Sequence, residues 1–261
     1  MVIDLDKYDR LITYGCSWTA GCEINDHKIF GKTFHEMQYE KLHCKDIEEF
    51  HNKKTENGDT YWSVIKKNED LNRNRAWGYH LSQKLSLKFL NRAKGGSGID
   101  FSLFSMIFDT QNGTIKNTDL IIVGLTTPTR LFLWNDNHKI ENRILGVNLD
   151  KKIDKLMHYL WSDNNLIFSY LNTLSSILMF QNTLVFFVRH NPFEGKFAKD
   201  YKINTHNMFL YKKVLEKYKD RFFDRNILLE QGFHEHCGFG HPQEKEHIIL
   251  AEKLYQQINK N

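Results

Sequence analysis

The chain has little of several things that mark whole classes of protein. Its 261 residues include only three prolines against 41% hydrophobic residues, a composition typical of a packed globular protein and not of a disordered one. No apolar run approaches the roughly 20 residues that a membrane-spanning helix needs. The N-terminus has neither the basic region nor the apolar core of a secretory signal peptide. No membrane span is therefore expected, and the predicted location is the cytoplasm.

Cysteine is scarce, and its spacing argues against a disulfide framework. The four cysteines form no CxxC pair, and no secretory segment precedes them. Free thiols in a reducing compartment are therefore expected.

Charge of one sign is not concentrated in any part of the chain. The 36 basic and 32 acidic residues are interspersed, and basic clusters are no larger than pairs such as Lys53 and Lys54. A nucleic-acid-binding protein would need a clustered basic face. Nucleic acid is therefore not an expected partner. No cofactor is predicted from the sequence, and the oligomeric state is left open.

Short apolar runs predict the strands of one α/β domain that spans residues 1–261. They lack strict alternation, as expected of parallel strands that are covered on both faces. Five runs have this character: residues 11–16, 87–93, 120–125, 184–189 and, less clearly, 226–230.

Helical patterns separate these strands. In residues 77–85 the apolar stripe consists of Trp77, Leu81 and Leu85, and a second, strongly apolar helix is predicted over 163–180. Residues 97–110 begin with Ser97 and Asp100 in the spacing of a capping box. A last helix is predicted over 241–258, with Pro242 near its first turn. Its apolar face is predicted to hold Ile248, Ala251, Leu254 and Ile258.

Alternating strands and helices predict a three-layer α/β/α sandwich with a parallel, flavodoxin-like sheet of about five strands. Such folds bind ligands at the carboxyl ends of their strands. Two stretches, around residues 35–75 and 131–162, do not fit the alternation. We interpret them as insertions over the edge or the active face of the sheet.

Three short stretches carry candidate chemistry. Ser17 directly follows the first strand in "YGCSWTAG", where the hydroxyl is either a nucleophile at the ligand-binding edge or a helix cap. The second strand ends in "NRAKGGSGID", where glycines and a helix start can hold an oxyanion. His241 comes just before the last helix, in "GFGHPQEKEH", and is either a base or a bystander.

Taken together, these three stretches resemble the SGNH (GDSL-like) hydrolases. "GCSWTAG" is similar to a variant in which the usual Gly-Asp-Ser becomes Gly-Cys-Ser, and "AWGYHLSQKLSLKFLNRAKGGSGID" and "HPQEKEHIILAEKL" resemble later blocks of the family. The resemblance implies a hydrolase in which Ser17 is the nucleophile and His241 the general base. It also implies that the N–H groups of Ser17 and Gly96 form an oxyanion hole.

The chain departs from the family pattern at two positions. Thr126, in "VGLTTPTR", stands where the family has an Asn donor, and Asn191, in "VRHNP", is a candidate to replace that donor. Gly238 stands where the family has the acid that orients the His. Glu235 and Asp224 are the nearest candidates for this role.

The predicted reaction is hydrolysis of an ester, with an acyl or acetyl group on a carbohydrate or lipid as the substrate class. Arg130 follows Thr126 by four residues and is a candidate substrate-binding residue. Its alternative is a surface Arg that pairs with a nearby acid.

Two other functions stay open at the level of sequence. The departures at Thr126 and Gly238 are compatible with a ligand-binding protein that has kept the fold and lost turnover. Alternatively, His234, His236, Cys237 and His241 lie within eight residues and have the chemistry of zinc ligands. Their spacing matches no standard zinc motif, so no metal site is predicted.

Overall fold

The computed structural model describes fourteen stretches of the chain, and the fold is reported for these residues: 3–21, 49, 52–55, 57–67, 69–95, 97–128, 130–134, 140–144, 163–188, 191–194, 198–199, 202–223, 242 and 244–259. The predicted strand 226–230 lies outside the described residues.

The described residues contain six strands and eight α-helices. The strands are β1 Arg10–Gly15, β2 Lys88–Asn91, β3 Asp119–Leu125, β4 Arg130–Trp134, β5 Ile140–Ile144 and β6 Thr183–Phe187. The helices are α1 Ser17–Ala20, α2 Tyr61–Lys67, α3 Glu69–Arg73, α4 Trp77–Lys84, α5 Ile99–Gln111, α6 Asp163–Met179, α7 Thr205–Tyr218 and α8 Glu244–Ile258. Short 3-10 helices cover Leu5–Lys7 and Lys219–Arg221.

The main sheet has the strand order β2-β1-β3-β6, and all its strand pairs are parallel. In the register, Thr13 pairs with Asn91 on one side and with Ile122 on the other, and Gly15 pairs with Gly124. The chain therefore passes from β1 outward to β2 and then back across β1 to β3. The order reverses at β1, which is the point where doubly wound sheets open a crevice at their carboxyl edge.

Helices cover both faces of this sheet. Alternate residues of β1 point to opposite sides: Leu11 packs with Trp77 and Leu254 of α4 and α8, whereas Ile12 packs with Met106 and Leu174 of α5 and α6. Because both faces are covered, β1 and β3 are mainly apolar, whereas the edge strand β2 is exposed at Lys88 and only partly buried at the next two residues. All seven residues of β3 are buried.

The predicted three-layer α/β/α sandwich with a parallel, flavodoxin-like sheet is confirmed. The sheet has four described strands where about five were predicted, and these four coincide with the first four predicted runs. Strands β4 and β5 pair antiparallel in a separate two-stranded sheet. No helix among the described residues is both long enough and apolar enough to cross a bilayer.

One predicted helix face is wrong in part. Ala251, Leu254 and Ile258 of α8 are buried, but Ile248 is 43% exposed. His247 occupies the core position instead, because its Nδ1 accepts a hydrogen bond of 3.1 Å from the Trp77 N–H. A polar residue therefore lies on a face that hydrophobicity alone assigns to its neighbour.

Helix α7 was not singled out by its sequence pattern. It begins after Asn204, whose side chain accepts a hydrogen bond of 2.7 Å from the Asn207 N–H. This N-cap satisfies one of the free amides at the start of the helix. Helix α7 packs beside α6 on the same face of the sheet as α5.

Candidate active site

Ser17 lies at the carboxyl edge of the central strand. β1 ends at Gly15, and α1 begins at Ser17. Since the chain direction across the sheet reverses between β1 and β3, the backbone of Ser17 lies at the opening between the carboxyl ends of these two strands. Ser17 is the first residue of α1, whereas a capping serine stands one position before the first helical residue.

Two glycines allow α1 to lie directly on the ends of the strands. A Cβ on Gly15 would lie 2.5 Å from Thr19 Oγ1 and 2.8 Å from the Gly124 carbonyl oxygen. A Cβ on Gly124 would collide with Thr19 Oγ1 as well, and would lie 2.8 Å from Val188 Cγ2. Gly15 also has a φ of +144°, which side chains rarely adopt. The fully buried Thr19 side chain therefore occupies space that only glycines leave open.

The turn after β2 is hydrogen-bonded to the end of β1. The Arg92 N–H donates to the Thr13 carbonyl at 2.8 Å, and the Lys94 N–H donates to the Gly15 carbonyl at 3.0 Å. The buried Ser97 hydroxyl lies 2.9 Å from the same Gly15 oxygen and 2.8 Å from the Lys94 carbonyl oxygen. The structure thus brings the Gly-rich turn and the segment that carries Ser17 together.

The predicted capping box at Ser97 is wrong. Helix α5 begins at Ile99, and its N-cap residue is Gly98, which makes no side-chain cap hydrogen bond. The Ser97 hydroxyl is used between the two turns instead. Gly96, the predicted second oxyanion donor, lies outside the described residues.

Asn91 is a residue of this region to which the sequence assigned no role. It is the last residue of β2, and its side chain is buried. Its Nδ2 donates to the Thr19 carbonyl of α1 at 3.2 Å, and its Oδ1 accepts from the Ala93 N–H at 3.1 Å. The asparagine was visible in "NRAKGGS", but nothing in the sequence shows that its partner is α1.

An ionic network centred on a buried carboxylate lies beside the same turn. Asp109 of α5 is 1% exposed and accepts two hydrogen bonds from the Arg92 guanidinium, at 2.8 and 2.6 Å. The Tyr14 hydroxyl of β1 donates to the same carboxylate at 2.7 Å. Burial, followed by the Asp109 hydrogen bond, raises the pKa of Tyr14 far above its usual range. The network joins β1, the end of β2 and α5.

Thr126 and Asn191, the predicted third-donor candidates, follow β3 and β6. Thr126 is buried, and its backbone carbonyl accepts from the Tyr170 hydroxyl of α6 at 2.9 Å. Asn191 is also buried. Its Nδ2 donates to the Tyr211 hydroxyl of α7 at 2.7 Å, and its Oδ1 accepts from the Phe193 N–H at 3.1 Å. One amide hydrogen of Asn191 is therefore committed to Tyr211.

Helix α8 begins at the same edge as Ser17. The His247–Trp77 hydrogen bond and the 3.0 Å ion pair of Glu244 with Arg75 join the start of α8 to the start of α4. Helix α4 leads by a three-residue turn into the amino end of β2, so α4 itself starts at the carboxyl edge. Helix α8 therefore begins at this edge. In the sequence, His241 precedes Glu244, the first residue of α8, by three positions.

The remaining predicted residues are placed only in part. Arg130 is the first residue of β4. His241, Glu235 and Asp224, like the cluster His234, His236 and Cys237, lie outside the described residues. Within the described part of the chain, no three His, Cys, Asp or Glu side chains come together to hold a metal ion.

No protein-family model matches the chain, and no curated protein matches it. Solved structures match it over nearly its whole length. The psychrotrophic esterase EstA from Pseudoalteromonas sp. is 10% identical, with a TM-score of 0.47 over 97% of this chain and 98% of that one. A catalytic mutant of Axe2, an acetylxylan esterase from Geobacillus stearothermophilus, is 12% identical, with a TM-score of 0.45 over 97% and 95%.

A GDSL-like lipase from Parabacteroides merdae is 14% identical, with a TM-score of 0.39 over 96% of each chain. None of these three likenesses reaches a TM-score of 0.5. The activity of the chain is therefore inferred from its own residues.

Proposed function

We propose that the chain is a serine hydrolase that cleaves carboxylic esters through an acyl-enzyme on Ser17. The observation that carries this proposal is the position of Ser17, at the start of a helix directly after the central strand and at the point where the strand order reverses. The Gly-rich turn that would hold an oxyanion is hydrogen-bonded to this same strand end.

In the proposed reaction, Ser17 Oγ attacks the ester carbonyl carbon while His241 takes the hydroxyl proton. The tetrahedral oxyanion accepts hydrogen bonds from the Ser17 and Gly96 N–H groups, which is where most of the barrier reduction arises in acyl transfer. Collapse of this intermediate expels the alcohol, which receives the proton from His241. A water molecule, deprotonated by His241, then attacks the acyl-enzyme and releases the carboxylic acid and Ser17.

The other roles belong to the same proposal. Thr126 or Asn191 supplies a third oxyanion donor, and Glu235 or Asp224 orients His241. Arg130 binds a polar part of the substrate, whose class is an acylated carbohydrate or lipid. Removal of one good oxyanion donor costs about 10²–10³ in rate, so the identity of the third donor has a measurable consequence.

The test is covalent labelling of Ser17 by a fluorophosphonate probe, together with hydrolysis of p-nitrophenyl acetate. Wild type is expected to form an adduct on the peptide that contains Ser17 and to release p-nitrophenolate, whereas Ser17→Ala and His241→Gln lose both. Ser176→Ala is the matched control, because this serine lies on α6 and its hydroxyl donates to the Asn172 carbonyl of the same helix at 2.9 Å. Absence of both labelling and turnover in wild type would overturn the proposal.

A further inference from the structure

Asn91 is the side chain that joins the two turns of the candidate site. Its amide faces two ways: Nδ2 donates to the Thr19 carbonyl of α1, and Oδ1 accepts from the Ala93 N–H at the start of the Gly-rich turn. At 7% exposure it is nearly inaccessible to water. Thr19 and Ala93 are buried as well, so water cannot readily replace the amide as a partner of these two backbone groups.

Helix α1 needs such an external contact. It spans only the four residues Ser17–Ala20, and the Ala20 N–H donates to the Cys16 carbonyl at 2.9 Å. Helices of this length are unstable on their own, because nucleation costs more than one hydrogen bond returns. The position of Ser17 therefore depends on contacts of α1 with the rest of the fold, among them those of Thr19 with the two glycines and with the amide of Asn91.

We propose that Asn91 is a positioning residue that sets the distance between Ser17 and the oxyanion turn. This proposal rests on the proposed function, since the position of Ser17 matters for catalysis only if Ser17 is the nucleophile. Asn91 acts through the Thr19 carbonyl of α1, with the Ala20 carbonyl 3.5 Å from the same Nδ2, and through the Ala93 N–H. A shift of about 1 Å between a nucleophile and its oxyanion donors is enough to cost on the order of 10²-fold in rate.

An asparagine is required at this position by the chemistry of its two partners. One partner is an acceptor and the other is a donor, and a primary amide matches both at once. In Asn91→Asp a carboxylate oxygen would face the Thr19 carbonyl oxygen, so the bond to α1 becomes a repulsion while the bond from Ala93 is kept. Asn91→Ser is the milder change. Its hydroxyl is too short to reach both partners, so contacts are lost, but no repulsion is introduced.

The chain offers a matched control in Asn207. This asparagine is also buried, at 2% exposure, and its Nδ2 likewise donates to a backbone carbonyl, that of Asn164 at 2.9 Å. It lies on α7, and the contact that it makes joins α7 to α6. Asn207→Asp therefore imposes the same chemical change on a helix contact away from Ser17.

The experiment measures fluorophosphonate labelling of Ser17 and the separate kcat and KM for p-nitrophenyl acetate, each at equal fraction folded. Asn91→Asp is expected to lower kcat and the labelling rate by about 10²-fold with little change in KM. Asn207→Asp is expected to label like wild type. Equal labelling of the two variants overturns the proposal. If Asn91→Asp does not fold, Asn91→Ser replaces it under the same criteria.

Failure of the proposed function gives a different result. If wild type itself is not labelled, hydrogen exchange of residues 16–21 and 93–98 decides whether Asn91 couples the two segments. Faster exchange in both segments of the Asn91 variant, and in neither segment of Asn207→Asp, supports the coupling. Faster exchange in one segment alone, or in none, overturns it.

Discussion

The two halves of the carboxyl edge are held in different ways. After β1 and β2 the turns are bonded to each other: Ser97 and Lys94 donate to the Gly15 carbonyl, and Asn91 donates to the Thr19 carbonyl. After β3 and β6 each turn is bonded to a helix of the neighbouring layer. Tyr170 of α6 donates to the Thr126 carbonyl, and Tyr211 of α7 accepts from Asn191.

The two halves therefore differ in which contacts fix the positions of their candidate site residues. The distance from Ser17 to the Gly-rich turn is set locally, by bonds between two adjacent loops. The positions of Thr126 and Asn191 depend on how α6 and α7 pack against the sheet. Changes in the first half should therefore alter the reactivity of Ser17, whereas changes in the second half should alter stability first.

The largest effect is expected from the ionic network of the first half. Asp109→Asn removes the buried carboxylate that accepts two hydrogen bonds from the Arg92 guanidinium and should lower the free energy of unfolding by about 3 kcal/mol, because these bonds involve charged groups. Urea unfolding measures this loss. Labelling of Ser17 should also slow, because Arg92 begins the turn that follows β2.

The control for Asp109 is Asp119→Asn. Asp119 is equally buried and pairs in the same bidentate manner, with Arg10 at the opposite, amino end of β1. It should cost comparable stability and leave labelling of the folded protein unchanged. Equal slowing of labelling in both variants would contradict the idea that contacts near the turns after β1 and β2 fix the position of Ser17.

Gly124 links the two halves, because it belongs to β3 and lies beneath Thr19 of α1. Gly124→Ala forces its methyl group onto the Thr19 side chain and Val188, and should cost about 2 kcal/mol of unfolding free energy. Thr19→Ala removes the main obstacle, so the double variant should recover part of this loss. A double-mutant cycle from urea unfolding measures the coupling.

Gly78→Ala is the matched control for this cycle. A Cβ at Gly78 would meet Thr13 Cγ2 at 2.7 Å and Phe89 at 2.8 Å, and no atom of Thr19 is among its nearest neighbours. Its loss of stability should therefore be unaffected by Thr19→Ala. If Thr19→Ala restored the unfolding free energy of both glycine variants, the coupling would come from a general adjustment of the fold and not from direct contact with Thr19.

Alkaline pH should weaken the first half through Tyr14. Burial, and then the hydrogen bond to Asp109, raise the pKa of its hydroxyl, so the folded protein holds a proton that the unfolded chain loses near pH 10. This contribution is complete below pH 10 and is lost as the pH rises, at up to about 1.4 kcal/mol per pH unit.

Urea unfolding at pH 9 and pH 11 tests this dependence on Tyr14. Tyr14→Phe should lose less stability between these two values than wild type does. Tyr8→Phe is the comparison: burial raises the pKa of Tyr8 as well, but this side chain is only partly buried. An unchanged pH dependence in Tyr14→Phe would contradict the assignment.

The sequence predicts the sheet well because doubly buried parallel strands are continuous apolar runs, and it predicts that Ser17 and the Gly-rich turn share an edge because neighbouring strand ends do so. The side-chain hydrogen bonds that join the turns at this edge cannot be predicted from such a pattern. Asn91 and Thr19 are 72 residues apart, and a polar residue after a strand has the same pattern whether it faces water or a buried carbonyl. His247 shows the converse, a polar residue that takes the core position assigned to Ile248.

The smallest effect is expected from the second half. Tyr170→Phe removes the hydrogen bond to the Thr126 carbonyl and should lower the free energy of unfolding by about 1 kcal/mol. Since α6 holds this turn independently of Ser17, the labelling rate of the folded variant should equal that of wild type. Tyr211→Phe should cost similar stability, but it also releases Nδ2 of Asn191. If Asn191 is the third oxyanion donor, ester turnover should change in Tyr211→Phe alone. Slowed labelling in Tyr170→Phe, to the degree expected for Asn91→Asp, would show that the two halves of the edge are not fixed separately.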